Sequence, residues 1–185
     1  MDQPTLKADS DEYLMQRVQQ RDEAAFSILV QRHTRSIHAF IFRLCGNRID
    51  AEDLSQETFL RLWQRAANWT PNTVRFTTWL HQIARNLCID QFRREQSRKR
   101  TSNQENIATE DSTIDSFEAD TQRQATFDAF RKLPERQRTA VVLCQMHGWT
   151  QQDAAKVLDT TVDGVQALIS RGRRTLRDVL VKNDE

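Results

Sequence analysis

Apolar residues recur along most of the chain at the three- to four-residue spacing of amphipathic helices, and no sustained strand-like alternation appears. Only 4 glycines and 3 prolines interrupt this pattern in 185 residues. We therefore predict an all-α protein. The predicted helices cover residues 10–20, 22–45, 50–67, 76–96, 122–132, 134–147, 150–158 and 161–181.

One stretch breaks the pattern, because residues 97–121 consist mainly of Ser, Thr, Asn and acidic residues. Such a composition buries too little apolar surface to offset the entropy of ordering. We predict a flexible acidic linker there, joining two small helical domains at 10–96 and 122–181. Residues 1–9 are expected to form a disordered N-terminus.

Charge is segregated along the chain although the net charge is only +1. Residues 101–120 hold six acidic and no basic side chains, directly after the basic run at residues 93–100. The N-terminus does not resemble a signal peptide, and no apolar stretch is long enough to span a membrane. We expect a cytoplasmic protein without membrane insertion.

The cysteines Cys45, Cys88 and Cys144 are far apart and lie among apolar neighbours. They show none of the paired spacings typical of metal sites. We predict buried thiols, no metal and no cofactor.

A helix-turn-helix is predicted near the C-terminus. Thr150 and Thr161 are candidate N-caps of two helices joined through residues 159–160. The small side chains of Ala154 and Ala155 allow the second helix to cross closely. In this motif the second helix can enter the major groove of DNA.

The second of these helices has two distinct faces at 100° per residue. The apolar arc, predicted to be core, contains Val162, Val165, Leu168, Ile169, Leu176, Val179 and Leu180. The opposite side carries Asp163, Gln166, Ser170, Arg171, Arg173, Arg174 and Arg177. Gln, Ser and Arg can contact base edges and phosphates, so this side is a candidate DNA-binding face; the alternative is an ordinary solvated face.

The helix predicted at residues 50–67 begins with Asp50 as a candidate N-cap. Its predicted core face is formed by Ala51, Leu54, Thr58, Leu62 and Ala66. The opposite strip carries Asp53, Gln56, Glu57, Leu60 and Trp63. Acidic residues around two apolar side chains indicate a protein-docking surface, although Trp63 could equally be a core residue.

The helix predicted at residues 76–96 has a core stripe of Leu80, Ile83, Ala84 and Leu87. An adjacent face carries Trp79, Asn86, Asp90 and Arg93. An aromatic ring, an amide and arginines together can stack, hydrogen-bond and neutralise unpaired nucleotides. The alternative is a core tryptophan beside ordinary surface polar residues.

In this order, the segments resemble the extracytoplasmic-function (ECF, group 4) sigma factors of bacterial RNA polymerase. The matching segments are "DAEDLSQETFLRLW", "TTWLHQIARNLCIDQFRR", "LPERQRTAVVL" and "GWTQQDAAKVLDTTVDGVQALISRGRRTL". The resemblance implies that residues 10–96 form sigma domain two and residues 122–181 sigma domain four. The implied activity is that of a transcription initiation factor, which is not an enzyme.

The resemblance also implies roles for individual residues. Those implied to bind core polymerase are Asp50, Asp53, Gln56, Glu57, Leu60 and Trp63. Those implied to read and open the −10 promoter element are Phe76, Trp79, Asn86, Asp90, Arg93 and Arg94. Those implied to bind the −35 element are Thr161, Gln166, Ser170, Arg171, Arg173 and Arg174.

The partners implied by the resemblance are the coiled coil of the polymerase's largest subunit, the polymerase flap, promoter DNA and an anti-sigma factor. An anti-sigma factor could hold the cytoplasmic protein at the membrane. The acidic linker is expected to mimic RNA in a polymerase channel, and the alternative is a solubilising tether.

Three positions depart from the family pattern. Asp159 stands where the family often has a turn glycine, Gly164 lies inside the recognition helix, and Leu168 stands where many members have arginine. A helical glycine costs about 1 kcal/mol relative to alanine. We expect Leu168 to pack rather than to touch DNA.

Two other classes of function fit the sequence less well. A free-standing, dimeric helix-turn-helix regulator would leave the acidic strip and the single-stranded-DNA face without a role. An enzyme is disfavoured because the four histidines are scattered and no nucleophile–base set or phosphate-binding glycine loop appears.

Overall fold

The computed structural model describes residues 9–71, 73–101, 127 and 129–181. The helices are α1 Asp11–Gln19, α2 Glu23–Cys45, α3 Arg48–Gln64, α4 Phe76–Thr101, α5 Glu135–Val141, α6 Gln151–Leu158 and α7 Val162–Val181. A short 3-10 turn, Ala66–Asn68, follows α3. All regular structure in the described residues is helical, which confirms the predicted all-α class.

Several helix boundaries differ from the prediction, and α3 spans Arg48–Gln64 instead of residues 50–67. The predicted helix 134–147 is divided, since α5 ends at Val141 and residues Val142–Met146 form a π-helical turn. Helix α4 continues to Thr101 instead of ending at residue 96, so it takes up the first residues of the predicted linker. The rest of that linker, and the predicted N-terminal segment up to residue 8, lie outside the described residues.

The N-terminal domain packs α1 to α4 around one core. Its largest fully buried side chains are Leu14, Met15, Leu29, Ile37, Phe40, Ile41, Leu62, Phe76 and Leu80. Helix α2 ends at Cys45 and is followed by Gly46, whose left-handed φ of 71° explains the glycine at this position. The predicted core stripe of α4 is buried, including Ile83, Ala84 and Leu87.

The C-terminal domain is the predicted helix-turn-helix together with α5. Thr150 caps α6 by accepting a hydrogen bond from the backbone N–H of Asp153 at 3.1 Å. Ala154 and Ala155 are buried. Helix α7 crosses α5 closely at Gly172, where an added Cβ would lie 2.9 Å from Cγ2 of Val141.

The two domains also pack against each other. The buried Arg138 guanidinium donates to the carbonyl of Leu44 at 2.7 Å, near the C-terminus of α2. It also donates to the carbonyls of Arg131 and Leu133, each at 3.1 Å. The single guanidinium of Arg138 therefore donates hydrogen bonds to backbone carbonyls of both domains.

Further contacts extend this interdomain interface. Arg85 on α4 makes a two-point ion pair with Glu135 on α5, at 2.8 and 3.1 Å. Arg43 on α2 lies 2.8 Å from Nε2 of His147. The ring of Trp149 lies 4.5 Å from that of His81, centroid to centroid. Polar and aromatic contacts thus join α2 and α4 to the C-terminal domain.

The cysteines behave as predicted in part. Cys45 and Cys88 are buried, and Cys144 is half-buried. Burial raises the pKa of the Cys45 thiol to about 11, so this thiol is neutral at pH 7. Burial likewise raises the pKa values of Cys88 and Cys144.

In the described part of the chain, none of the helices combines the length and apolarity needed to cross a membrane. The same residues contain no group of three or more His, Cys, Asp or Glu placed to hold a metal ion.

Candidate nucleic-acid and protein interfaces

Helix α3 presents the predicted acidic strip. Asn47 is the N-cap, because its side chain accepts from the backbone N–H of Asp50 at 3.0 Å. The prediction of Asp50 as N-cap is therefore wrong, and Asp50 lies in the first turn. Burial raises the pKa of the Asp50 carboxyl, and the nearby Asp53 raises it further.

The strip is exposed at three of its five positions. Asp53 and Gln56 are exposed, and Leu60 leaves 49% of its surface open to solvent. Glu57 is half-buried and pairs with Arg61 at 2.8 Å. The predicted core positions Ala51, Thr58 and Leu62 are buried on the opposite side.

The sequence allowed Trp63 to be either an exposed docking residue or a core residue, and the structure places it at intermediate burial. Its ring is partly buried and packs on the core, with the ring of Phe26 at 5.0 Å. The Arg21 guanidinium lies 5.3 Å from the indole centroid. Trp63 is thus supported by its own domain while still lying at the surface beside Leu60.

A groove of about 400 Å³ separates α3 from α4. It is lined by Asp53, Leu54, Glu57, Arg61, Leu87, Asp90, Gln91 and Arg94. Residues assigned from the sequence to two different sites therefore share one groove. The groove exists because α3 and α4 lie side by side, so the sequence pattern of either helix alone could not predict it.

Helix α4 exposes Asn86, Arg93 and Arg94, while Asp90 is half-buried. Trp79 is half-buried and packs against the core. Phe76 is fully buried, and its ring lies 5.3 Å from that of His33. Phe76, which the resemblance assigns to the −10 element, thus packs inside the first turn of α4, and its role there stays a prediction.

The side of α4 turned toward the C-terminal domain carries a residue that the sequence did not single out. His81 is 2% exposed, and its Nδ1–H donates to the carbonyl of Thr77 at 2.8 Å. Burial lowers the pKa of His81 to about 4. This histidine is therefore neutral at pH 7.

Helix α7 presents the predicted cationic face. Thr161 caps it by accepting from the backbone N–H of Gly164 at 3.1 Å. The predicted DNA-facing residues Gln166, Ser170, Arg171, Arg173 and Arg174 are all exposed. Polar groups and arginines thus line one open side of the recognition helix.

The predicted apolar arc of α7 is core only in part, since Leu176 and Val179 are half-buried. Val165 and Ile169 are buried, and Leu168 packs partly buried against the core. Val162 and Leu180, however, are 43% and 41% exposed. They lie at the two ends of α7, and helical phase alone overestimated their burial.

The departures from the family pattern have visible causes. Asp159 adopts a left-handed conformation, with φ 49° and ψ 62°, where the turn between α6 and α7 requires it. An added Cβ at Gly164 would lie 2.5 Å from Oγ1 of Thr160. A side chain at position 164 would therefore require the Thr160 hydroxyl to move, and glycine avoids this in the first turn of α7.

These features define a two-domain helical protein with an acidic strip on α3 and an exposed cationic face on α7. The family described as "Sigma-70 region 2" matches residues 29–98, and "Sigma-70, region 4" matches residues 123–176. Together the two matches cover most of the chain. They correspond in order to the N-terminal domain and to the helix-turn-helix domain.

Individual relatives agree. The chain is 35% identical over 159 residues to the ECF RNA polymerase sigma factor SigE of Mycolicibacterium smegmatis, covering 84% of this chain and 61% of that relative. It is 31% identical over 184 residues to the ECF RNA polymerase sigma factor BldN of Streptomyces coelicolor, covering 94% and 68%. The chain belongs to the ECF family of RNA polymerase sigma factors.

A solved structure shows the same architecture. The sigma factor RpoE of Bartonella quintana, in complex with the anti-sigma factor NepR, matches with a TM-score of 0.65 and 25% identity. The match covers 84% of this chain and 96% of that chain. The comparisons give no support to a free-standing helix-turn-helix regulator.

Proposed function

We propose that this protein is a transcription initiation factor that binds core RNA polymerase and directs it to specific promoters. One observation carries the proposal: regions 2 and 4 of a sigma factor occur together, with an acidic-apolar strip exposed on α3 and a cationic face exposed on α7. The factor supplies binding and promoter reading, and the polymerase supplies catalysis.

The α3 strip is the proposed polymerase-docking strip, defined by Asp50, Asp53, Gln56, Glu57, Leu60 and Trp63. An apolar anchor within an acidic rim suits a basic helical partner with an apolar ridge, because the core of such an interface excludes water while its rim pairs charges. The coiled coil of the polymerase's largest subunit is the proposed partner. The flap is proposed to contact the C-terminal domain.

The exposed side of α4 is proposed to read and open the −10 element. Asn86 can hydrogen-bond base edges, and Arg93 and Arg94 can neutralise phosphates of the separated strand. Trp79 and Asp90 are partly accessible and border this side. Phe76 is proposed to act indirectly, by holding the first turn of α4 in place.

Helix α7 is proposed to bind the −35 element in the major groove. Arg171, Arg173 and Arg174 supply contacts to guanine or phosphate, and Gln166 and Ser170 supply contacts to base edges. Thr161 fixes the N-terminus of this helix, where backbone N–H groups can also face phosphate.

An anti-sigma factor is the proposed regulatory partner, because a structural relative was solved in complex with one. A cytoplasmic location is proposed on the same basis, with retention at the membrane where the anti-sigma factor is itself anchored.

The proposal is tested by transcription from a promoter library with purified core polymerase, with and without this protein. We expect promoter-specific RNA only when the protein is added. Asp53→Arg should weaken binding to core polymerase with little change in helicity, since Asp53 is exposed. Tight binding to palindromic DNA without polymerase would instead indicate a free-standing regulator.

A further inference from the structure

The turn between α1 and α2 contains a residue in an unfavourable backbone conformation. Arg21 has a φ of 66°, in the left-handed region. The N–H of Asp22 bonds to the carbonyl of Arg17 at 3.2 Å, and that of Arg21 to the carbonyl of Val18 at 2.9 Å. This pair of bonds is the Schellman ending of a helix, in which glycine is usual at the left-handed position. The chain holds arginine there despite the steric cost.

The side chain of Arg21 provides a reason for its presence. Its Nη1 donates to the backbone carbonyl of Trp63 at 3.1 Å. Its guanidinium lies 5.3 Å from the Trp63 ring centroid, within the range of a cation–π contact. The Phe26 ring packs against the same indole at 5.0 Å with an interplanar angle of 58°.

Trp63 lies in the last turn of α3, so these contacts act on the end of that helix. Helix α3 ends at Gln64, so the Trp63 carbonyl is among the last four of the helix, which lack intrahelical partners. A cation that hydrogen-bonds such a carbonyl also interacts favourably with the helix dipole. Arg21 therefore fixes both the end of α3 and the ring that borders Leu60.

We propose that Arg21 is a positioning residue for polymerase binding, which holds the Trp63 indole in its docking orientation before the polymerase arrives. This inference rests on the proposed docking function of the α3 strip. Preorganisation of an aromatic anchor removes part of the entropy cost of association. Because an acidic strip calls for a basic partner, the charge of Arg21 is unsuited to direct contact, and Arg21 acts through Trp63.

The first test uses Arg21→Gly in the full-length protein. Glycine relieves the left-handed strain but loses the contacts with Trp63, so the two effects oppose each other and Tm should change by no more than roughly 4 °C. Affinity for core polymerase should fall roughly three- to tenfold, because the ring is no longer held. Unchanged affinity, or a loss of affinity accompanied by a clear fall in Tm, would overturn the proposal.

Asp159→Gly is the matched control. Asp159 is the other non-glycine residue with positive φ in the described part of the chain, at 49°, and it lies in the C-terminal domain. This variant should match or exceed the Tm of the wild type while leaving affinity for core polymerase unchanged. An equal loss of affinity in both variants would show that the effect is not specific to Trp63.

A double-variant cycle separates this inference from the docking proposal. If Arg21 acts through Trp63, Arg21→Gly should cause no further loss of affinity in a Trp63→Ala background. A further loss of the same size would mean that Arg21 contacts polymerase directly, which overturns the positioning role. Full affinity of Trp63→Ala alone would instead refute docking through Trp63, and with it this inference.

Discussion

At the scale of single residues, Gly172 sets how closely α7 can approach α5. An added Cβ would lie 2.9 Å from Cγ2 of Val141 and 3.5 Å from Cβ of Gln137. We expect Gly172→Ala to lower the free energy of unfolding by about 1–3 kcal/mol, because overpacking outweighs the better helix propensity of alanine. Denaturant unfolding measures this change.

The control for that variant is Ser170→Ala, at an exposed position of the same helix. It should change stability by less than about 0.5 kcal/mol. A Gly172→Ala protein that is more stable than the wild type would contradict the close crossing of α5 and α7.

At the scale of the helical element, the rotation of α7 decides which residues face DNA. Arg173 is exposed, whereas Leu168 is half-buried against the core. Arg173→Ala should reduce transcription from promoters with an intact −35 element. The loss of binding free energy should be about 1–3 kcal/mol if the contact of Arg173 with guanine is bidentate. The thermal stability of the Arg173→Ala variant should stay close to that of the wild type.

Leu168→Ala is the counterpart on the other side of the same helix. It should lower the melting temperature of the protein, because it removes packing between α7 and the core. The reverse pattern, with Leu168→Ala affecting only transcription and Arg173→Ala only stability, would show that α7 is rotated relative to this structure.

Helical periodicity was sufficient to predict the elements and most of their buried faces. It predicted the strip on α3 and the cationic side of α7, because both depend on spacing within one helix. It failed at Val162 and Leu180, where burial depends on how far neighbouring helices extend. It also could not predict the contacts of Arg21 with Trp63 or of His81 with Trp149, which join residues far apart in sequence.

At the scale of the whole molecule, His81 couples the packing of the two domains to pH. It lies in the interface with Trp149 and His147 nearby, and Arg43 is hydrogen-bonded to His147. Burial lowers the pKa of His81 to about 4, from an ordinary value of 6.5. Burial and Arg43 also lower the pKa of His147.

The sign of the pH dependence follows from these shifts. Between pH 6.5 and pH 4 the unfolded chain binds a proton at His81 that the folded chain does not. The contribution of neutral His81 to the free energy of unfolding should therefore be fully present above pH 6.5. It should be lost as the pH is lowered toward 4, by up to roughly 3 kcal/mol. Unfolding free energies at neutral and mildly acidic pH measure this loss. His81→Phe should reduce the dependence of the unfolding free energy on pH. An unchanged dependence in that variant would show that other titratable groups cause it.

The contacts between the domains oppose any arrangement in which the two domains lie far apart. The −10 and −35 elements are, by their names, about 25 base pairs apart, or roughly 85 Å along B-form DNA. A compact chain of 185 residues has a radius of gyration of only about 16 Å. If one molecule reads both elements as proposed, Arg138 must leave the Leu44 carbonyl and Arg85 must leave Glu135. The free energy that holds the domains together is then a cost of forming the extended arrangement that spans both elements.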